Sequence, residues 1–439
     1  MSVRRKERKM LKKKNIYIIP ILSFAIVILA SFIILIMPFS RSGNVTPQDA
    51  FFTAVSATCV NGLSTVNLAE DYTFIGQLVI AITTEIGAIG FITFIAFILS
   101  LRNKKMTISE SILLTNSINN DEDSKLMQRL KEVIKYTLII EFMGSILLSF
   151  SFVPKYGLKN GIWYSIFHSI TAFCNAGFDL FGTSSFITFK SDIYINMVII
   201  ILMLLGGIGF FVIEDLTTCI KKKSFMHMQF YTKIILTATV IIYTVSVILI
   251  KMAEPKLSIL QTLFTAATCR TTGFSTVNLG ETSSILKLIL SILMMIGGAP
   301  SSTSGGIRIT SIVVIILTMH SILRNKKEVI CFYRKIDDNT IKHAITNTFI
   351  SITVVFIGIL ILAKVQDINL IDNIFMCVTS FSATGLNVFN PSTLGIIAKF
   401  ILMTLMFIGR VGPISIISLF ILEKKDNKNI EYVSGNLVL

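Results

Sequence analysis

Four glycines mark the residues of this sequence best placed to do chemistry. Thr58, Cys59, Val60 and Asn61 lead to Gly62, and Phe173, Cys174, Asn175 and Ala176 lead to Gly177. Cys269, Arg270, Thr271 and Thr272 lead to Gly273, and Phe381, Ser382, Ala383 and Thr384 lead to Gly385. Each glycine is followed by a bulky apolar residue and preceded by a stretch that reads as a short amphipathic helix. The sequence S-T-V-N-L recurs at 64–68 and 275–279, so an internal repeat organises the chain. A cation leaving water must exchange its hydration shell for other oxygens, and rings of backbone carbonyls supply them without burying a full charge. Glycine gives the unusual backbone angles this needs at little steric cost. The short helix before each loop directs the negative end of its dipole, about half a charge, at the same point. Glycines near membrane helices also permit close packing. Four in register, each between two apolar stretches, favour a four-fold cation site instead.

Other chemistries fit less well. Cys59, Cys174 and Cys269 would suit a soft metal as thiolates, but carbonyl loops turn side chains away from their axis and no histidine accompanies all three. The six cysteines form no C-x-x-C pair and read as reduced, small apolar residues. Ser301, Ser302 and Ser304 have no identifiable base beside them, so an enzyme is not expected. His168 reads as a hydrogen-bonded packing residue. Asp179 is expected to draw cations or to cap local backbone. Arg270 would repel a cation if it faced the axis, so it is expected behind the loop, with an acidic residue such as Glu85 as its partner. Arg410 lies inside an apolar stretch, where it costs about 2.5–3.5 kcal/mol on insertion scales, so it should face the protein interior.

The elements that position these groups must cross a bilayer. The 439 residues are 53% hydrophobic and only 15% charged, too apolar for an ordinary soluble protein. The net charge of +15 would suggest nucleic acid in a soluble chain. Here the basic residues cluster at the N-terminus, at Lys221–Lys223, at Arg324, Lys326, Lys327, Arg334 and Lys335, and at Lys424, Lys425 and Lys428. That is the positive-inside pattern, so no nucleic-acid partner is expected. The predicted fold is an all-α polytopic membrane protein with eight transmembrane spans and both termini cytoplasmic. Four units of helix, pore helix, filter loop and helix surround a central pore. A basic N-terminus (1–15), without a cleavage-site pattern, precedes unit 1 (16–100) and a linker (101–133). Unit 2 (134–216) and a linker (217–230) follow, then unit 3 (231–319), a linker (320–343), unit 4 (344–422) and a C-terminal tail (423–439).

In three units the return span reads as continuous, through 193–212 in unit 2 and 394–422 in unit 4. The third is interrupted by Gly297, Gly298, Ala299, Pro300, Ser301, Ser302, Thr303, Ser304, Gly305 and Gly306. A regular lipid-facing helix there would leave backbone groups unpaired in hydrocarbon, so this stretch must lie within protein or line water.

Three motifs carry a family resemblance. H-S-I-T-A-F-C-N-A-G-F-D (168–179) is similar to the second filter of the Trk/Ktr/HKT superfamily of potassium transporters. G-G-A-P-S-S-T-S-G-G-I-R (297–308) resembles its intramembrane gating loop, and F-I-G-R-V-G-P (407–413) the arginine-bearing last span of the Ktr membrane subunit, KtrB. The resemblance covers nearly the whole chain. It implies the pore-forming subunit of a potassium uptake system in the cell membrane, with K+ held by filter carbonyls and no cofactor bound by this chain. It further implies a homodimer, a gate made by 297–306 with Arg410, and a cytoplasmic ring of nucleotide-binding RCK subunits (KtrA-like) docked on the basic loops. A sodium-conducting member is the alternative; serine in place of the first filter glycine accompanies sodium preference in the plant relatives, and Gly62 stands there. Asn61 and Ser382-Ala383-Thr384 depart from the usual filter patterns.

Overall fold

The computed structural model describes residues 3–90, 123–224 and 228–420. The end of the first return span, most of the first linker and the C-terminal lysines lie outside them.

The described chain is almost wholly helical. Its long helices are Val3–Ile36 (α1), Asp123–Phe173 (α2), Phe230–Ala253 (α3) and Asp338–Val365 (α4). Among the described residues, three helices are long and apolar enough to cross a membrane, or four if a bent pair at Ile193–Lys221 counts as one. Gly157, at φ 77, breaks α2 and turns its last part into a short helix ending at the second glycine loop. The other short helices are Pro47–Cys59, Ile259–Thr268 and Leu370–Ser382. Each has a polar N-cap, as orphan N–H groups in an apolar setting require. Thr46 accepts from the Asp49 N–H, with Pro47 at the first position, and Ser258 and Gln261 form a capping box. Asn369 caps the last.

The return helices are Phe74–Ile89, Ile193–Ile208, Ser284–Met295 and Ile396–Val411. All are shorter than the ~20 residues that span hydrocarbon, and here the structure departs from the sequence reading. Units 2 and 4 do not return as unbroken spans. Gly209, at φ 91, precedes Phe210–Lys221, which leaves at 101°. Gly412, at φ 97, precedes Pro413–Phe420. Gly90 ends the first return helix at φ 87. Glycine alone enters this backbone region without strain, so a helix stops there although its hydropathy continues.

Neighbouring units are tied near the starts of the return helices. Lys287 pairs with Asp372 at 2.8 Å, Lys399 with Asp49 at 3.2 Å, and the Trp163 indole donates to Gln77 at 2.7 Å. Each tie joins one unit's return helix to the next unit's short helix. A small antiparallel hairpin, Ile330–Cys331 with Arg334–Lys335, lies between Ile309–Leu323 and α4.

Candidate functional site

The short helices of units 1, 2 and 4 end in the same way. The Asn61 N–H donates to the Ser56 carbonyl at 2.8 Å while the Val60 N–H donates to Ala57. The pairs Ala176 to Thr171 and Asn175 to Ala172, and Thr384 to Thr379 and Ala383 to Ser380, repeat this Schellman pattern. It demands a left-handed residue, and Val60 (φ 58), Asn175 (φ 56) and Ala383 (φ 55) occupy that position without being glycine. A β-branched residue there is strained and persists only because its surroundings fix it. In unit 3 the Thr272 N–H reaches Thr268 instead, and Thr271 takes φ 72.

Two residues further on stand Gly62, Gly177, Gly273 and Gly385, at φ 92, 66, 105 and 83. They form a closed ring. A methyl group on Gly62 would strike the Ala176 carbonyl oxygen, and one on Gly177 would strike Thr272. From Gly273 it would strike Thr384, and from Gly385 it would strike Asn61, back in the first loop. Among the described residues no hydrogen bond is donated to the carbonyl oxygens of 60–62, 175–177, 271–273 or 383–385. All four glycines line one bowl of about 430 Å³, whose wall also carries Asp71, Asp179 and Asn278.

The side chains of the loops serve as braces. Asn61 donates to the Thr379 and Ser380 carbonyls at 3.0 and 3.1 Å, at the end of the fourth short helix. The Asn175 amide donates to the Met203 carbonyl and the Thr272 hydroxyl and accepts from the Gly207 N–H and the Thr303 hydroxyl. The Gly62 and Gly273 N–H groups donate to the hydroxyls of Ser56 and Thr268. His168 is a packing residue, as expected: its Nε2 accepts from the Leu180 N–H at 3.2 Å and its ring stacks on Phe181 at 4.3 Å. Asp179 accepts from the Phe181 N–H at 3.0 Å, a local cap.

The stretch 297–306 packs against these loops. The Thr303 hydroxyl lies 3.4 Å from the Phe173 carbonyl, and a methyl on Gly305 would meet the Ser382 carbonyl at 2.7 Å. Gly297 and Ile307 pair across its base through a 2.8 Å bond, the Tyr231 hydroxyl donates to Pro300, and the Phe210 N–H donates to Ser301. Ser302, Thr303 and Ser304 are buried. Arg410 is buried too, and its hydrogen bonds go to carbonyls rather than to a carboxylate. Nη1 donates to Thr303, and Nη2 donates to Gly87 at 2.5 Å and Ala88 at 3.1 Å. One guanidinium therefore fastens the interrupted stretch of unit 3 to the end of the first return helix.

The expected pairing of Arg270 with Glu85 is not found. No nitrogen of the buried Arg270 guanidinium has a hydrogen-bond partner among the described residues. Glu85 instead accepts from the Cys174 thiol at 3.0 Å, beside Glu141. Three further glycines escaped the sequence reading of the site. Gly87, Gly206 and Gly409 lie so close under the short helices that a methyl would strike the carbonyls of Thr58, Phe173 and Phe381. The matching Gly297 meets the Gly305 carbonyl instead, so the four-fold pattern fails where the polar stretch inserts. Their signal was the G-x-x-G spacing at 87–90, 206–209 and 409–412, which Gly297 and Pro300 break.

Four glycine loops thus close a ring on an almost wholly helical scaffold. The chain belongs to the TrkH family of cation transport proteins, whose family model matches residues 3–432. It is 31% identical over 433 residues to the potassium/sodium uptake protein NtpJ of Enterococcus hirae, covering 95% of each chain. It is also 31% identical over 427 residues to the Ktr system potassium uptake protein B of Bacillus subtilis, again covering 95% of each. The crystal structure of the potassium transporter TrkH from Vibrio parahaemolyticus has the same fold, with a TM-score of 0.73 at 17% identity over 93% of this chain and 85% of that one.

Proposed function

We propose that this chain is the pore-forming subunit of a Ktr-type potassium uptake system, with K+ dehydrated by the carbonyls of the four glycine loops. The observation that carries the reading is the closed ring, in which each glycine abuts the carbonyl before the next glycine. Unbonded carbonyls around one axis are the ligands a dehydrated cation requires. Eight spans, with the three broken return helices each counted as one, bring both termini to the cytoplasm of the cell membrane.

The stretch 297–306 is the gate and Arg410 its latch. The broken symmetry of unit 3 and the three carbonyl bonds of Arg410 support this. The subunit works as a homodimer, each protomer with its own pore. An RCK-type nucleotide-binding ring docks on the basic loops, where Lys221–Lys223, Arg324, Lys326, Lys327, Arg334 and Lys335 are exposed. Gly62 in the first loop favours potassium over the sodium-conducting alternative.

The test is cation uptake into proteoliposomes holding this chain alone, with potassium, rubidium and sodium compared. Potassium and rubidium should enter in preference to sodium. Gly62→Ser places a Cβ against the Ala176 carbonyl and should cost uptake and discrimination together. Equal sodium uptake by the native chain, or unchanged discrimination in the variant, contradicts the proposal.

A further inference from the structure

Behind the second glycine loop three ionisable side chains converge that the conduction path does not use. Glu85 comes from the first return helix, Glu141 from α2, and Cys174 from the loop itself. One ligand atom from each lies within 4.8 Å of the others, and Cys174 Sγ is 3.0 Å from Glu85 Oε2 and 3.7 Å from Glu141 Oε1. Glu141 and Cys174 are buried. Glu85 Oε1 is shut off from solvent, and the Glu85 and Glu141 carboxyls lie within hydrogen-bond reach of each other. Neither carboxylate has a lysine or arginine at ion-pair distance among those residues. The Ser169 hydroxyl donates to the Glu141 carbonyl at 2.7 Å and ties together the parts of α2 before and after Gly157.

Two carboxylates and a thiol facing one another in a low-dielectric interior cannot all ionise unless a cation compensates them. We propose that a soft or borderline divalent cation, of the zinc and cadmium class, binds between Glu85, Glu141 and Cys174. Tetrahedral coordination with bonds of about 2.0–2.3 Å places ligand atoms about 3.3–3.7 Å apart, so the Sγ distances already bracket the requirement. The thiolate selects such a metal over potassium, sodium or magnesium. Binding releases the thiol proton and any carboxyl proton to water. Three ligand charges, the divalent ion and the Arg410 guanidinium, bonded to carbonyls just after Glu85, then sum to zero. Because Cys174 belongs to the loop that ends in Gly177, the metal fixes that loop and inhibits uptake.

The binding test does not depend on the transported ion. Purified full-length protein is titrated with cadmium, and the ultraviolet thiolate-to-cadmium charge-transfer band is recorded for the native chain, Cys174→Ser, Glu141→Gln and Cys331→Ser. Cys174→Ser should abolish the band of the tightest site. Glu141→Gln, which preserves shape, should raise its Kd about tenfold or more. Cys331→Ser should leave both unchanged. A band that survives Cys174→Ser, an unaltered Kd in Glu141→Gln, or loss of the band in Cys331→Ser overturns the proposal.

Discussion

Val60, Asn175 and Ala383 show why the loops were readable only in part. Each is a non-glycine residue at positive φ, held by a helix cap whose donors and acceptors follow from local sequence. The four glycines were legible because their backbone role leaves a spaced signature. The Asn175 amide was not, because the partners that give it meaning, Thr272 and Thr303, are distant in sequence. Asn175→Leu should therefore disturb the second and third loops and the adjoining stretch together, lowering rubidium uptake while the protein still folds. Unchanged uptake would show that the amide is dispensable. Asp179 makes a second residue-scale prediction. Burial pushes its carboxyl from the ordinary 3.8 up to about 6, against the hydrogen bonds from the Phe181 N–H and the Ser185 hydroxyl. The raised value means that ionisation costs stability. Folding gains as pH falls from about 6 towards 3.8, and the carboxylate is fully charged only above about 6. If that charge concentrates cations in the bowl, uptake at low potassium should fall as the pH on that side drops from about 7 to 5. Asp179→Asn should flatten the profile, and an unaltered profile would remove Asp179 from cation capture.

At the scale of elements, the ties between units and the interrupted return helix make opposite demands. Lys287 and Asp372 are largely withdrawn from water, with side chains 10% and 22% exposed. Lys287→Met should destabilise by more than the ~1 kcal/mol of an exposed pair and less than the ~3–5 kcal/mol of a fully buried one. Adding Asp372→Leu should restore part of the loss, because the stranded carboxylate is then gone. A double variant no more stable than Lys287→Met, compared by thermal unfolding in detergent, would mean that the pair's geometry matters more than its charge. The stretch 297–306 should behave differently. If it is the proposed gate, shortening it, or Arg410→Ala, should increase uptake in the absence of the proposed regulatory ring. Unchanged regulator-dependent uptake in the shortened protein would count against a gate. The break in unit 3 was visible in the sequence because glycine, serine and proline accumulate there. The breaks at Gly209 and Gly412 were not, since a single glycine inside apolar residues barely alters hydropathy.

For the whole molecule, apolar composition sufficed to predict a mostly helical membrane protein, and the TrkH family and fold agree with that reading. What the repeat could not supply is how the units differ. Three return helices place a glycine under the preceding short helix, while the fourth meets its own polar stretch, and Arg410 bridges that asymmetry. A symmetric ring with one asymmetric element beneath it would suit the selective, gated pore proposed above, in which selectivity needs equivalent ligands and gating needs a part that can move alone. The most direct test of that arrangement is the anomalous scattering of rubidium in crystals of the protein. A rubidium peak should lie on the axis enclosed by the carbonyls of Asn61, Ala176, Thr272 and Thr384, and excess sodium should not displace it. Rubidium bound elsewhere only, or lost from that axis to sodium, would contradict a potassium filter built from the four glycine loops.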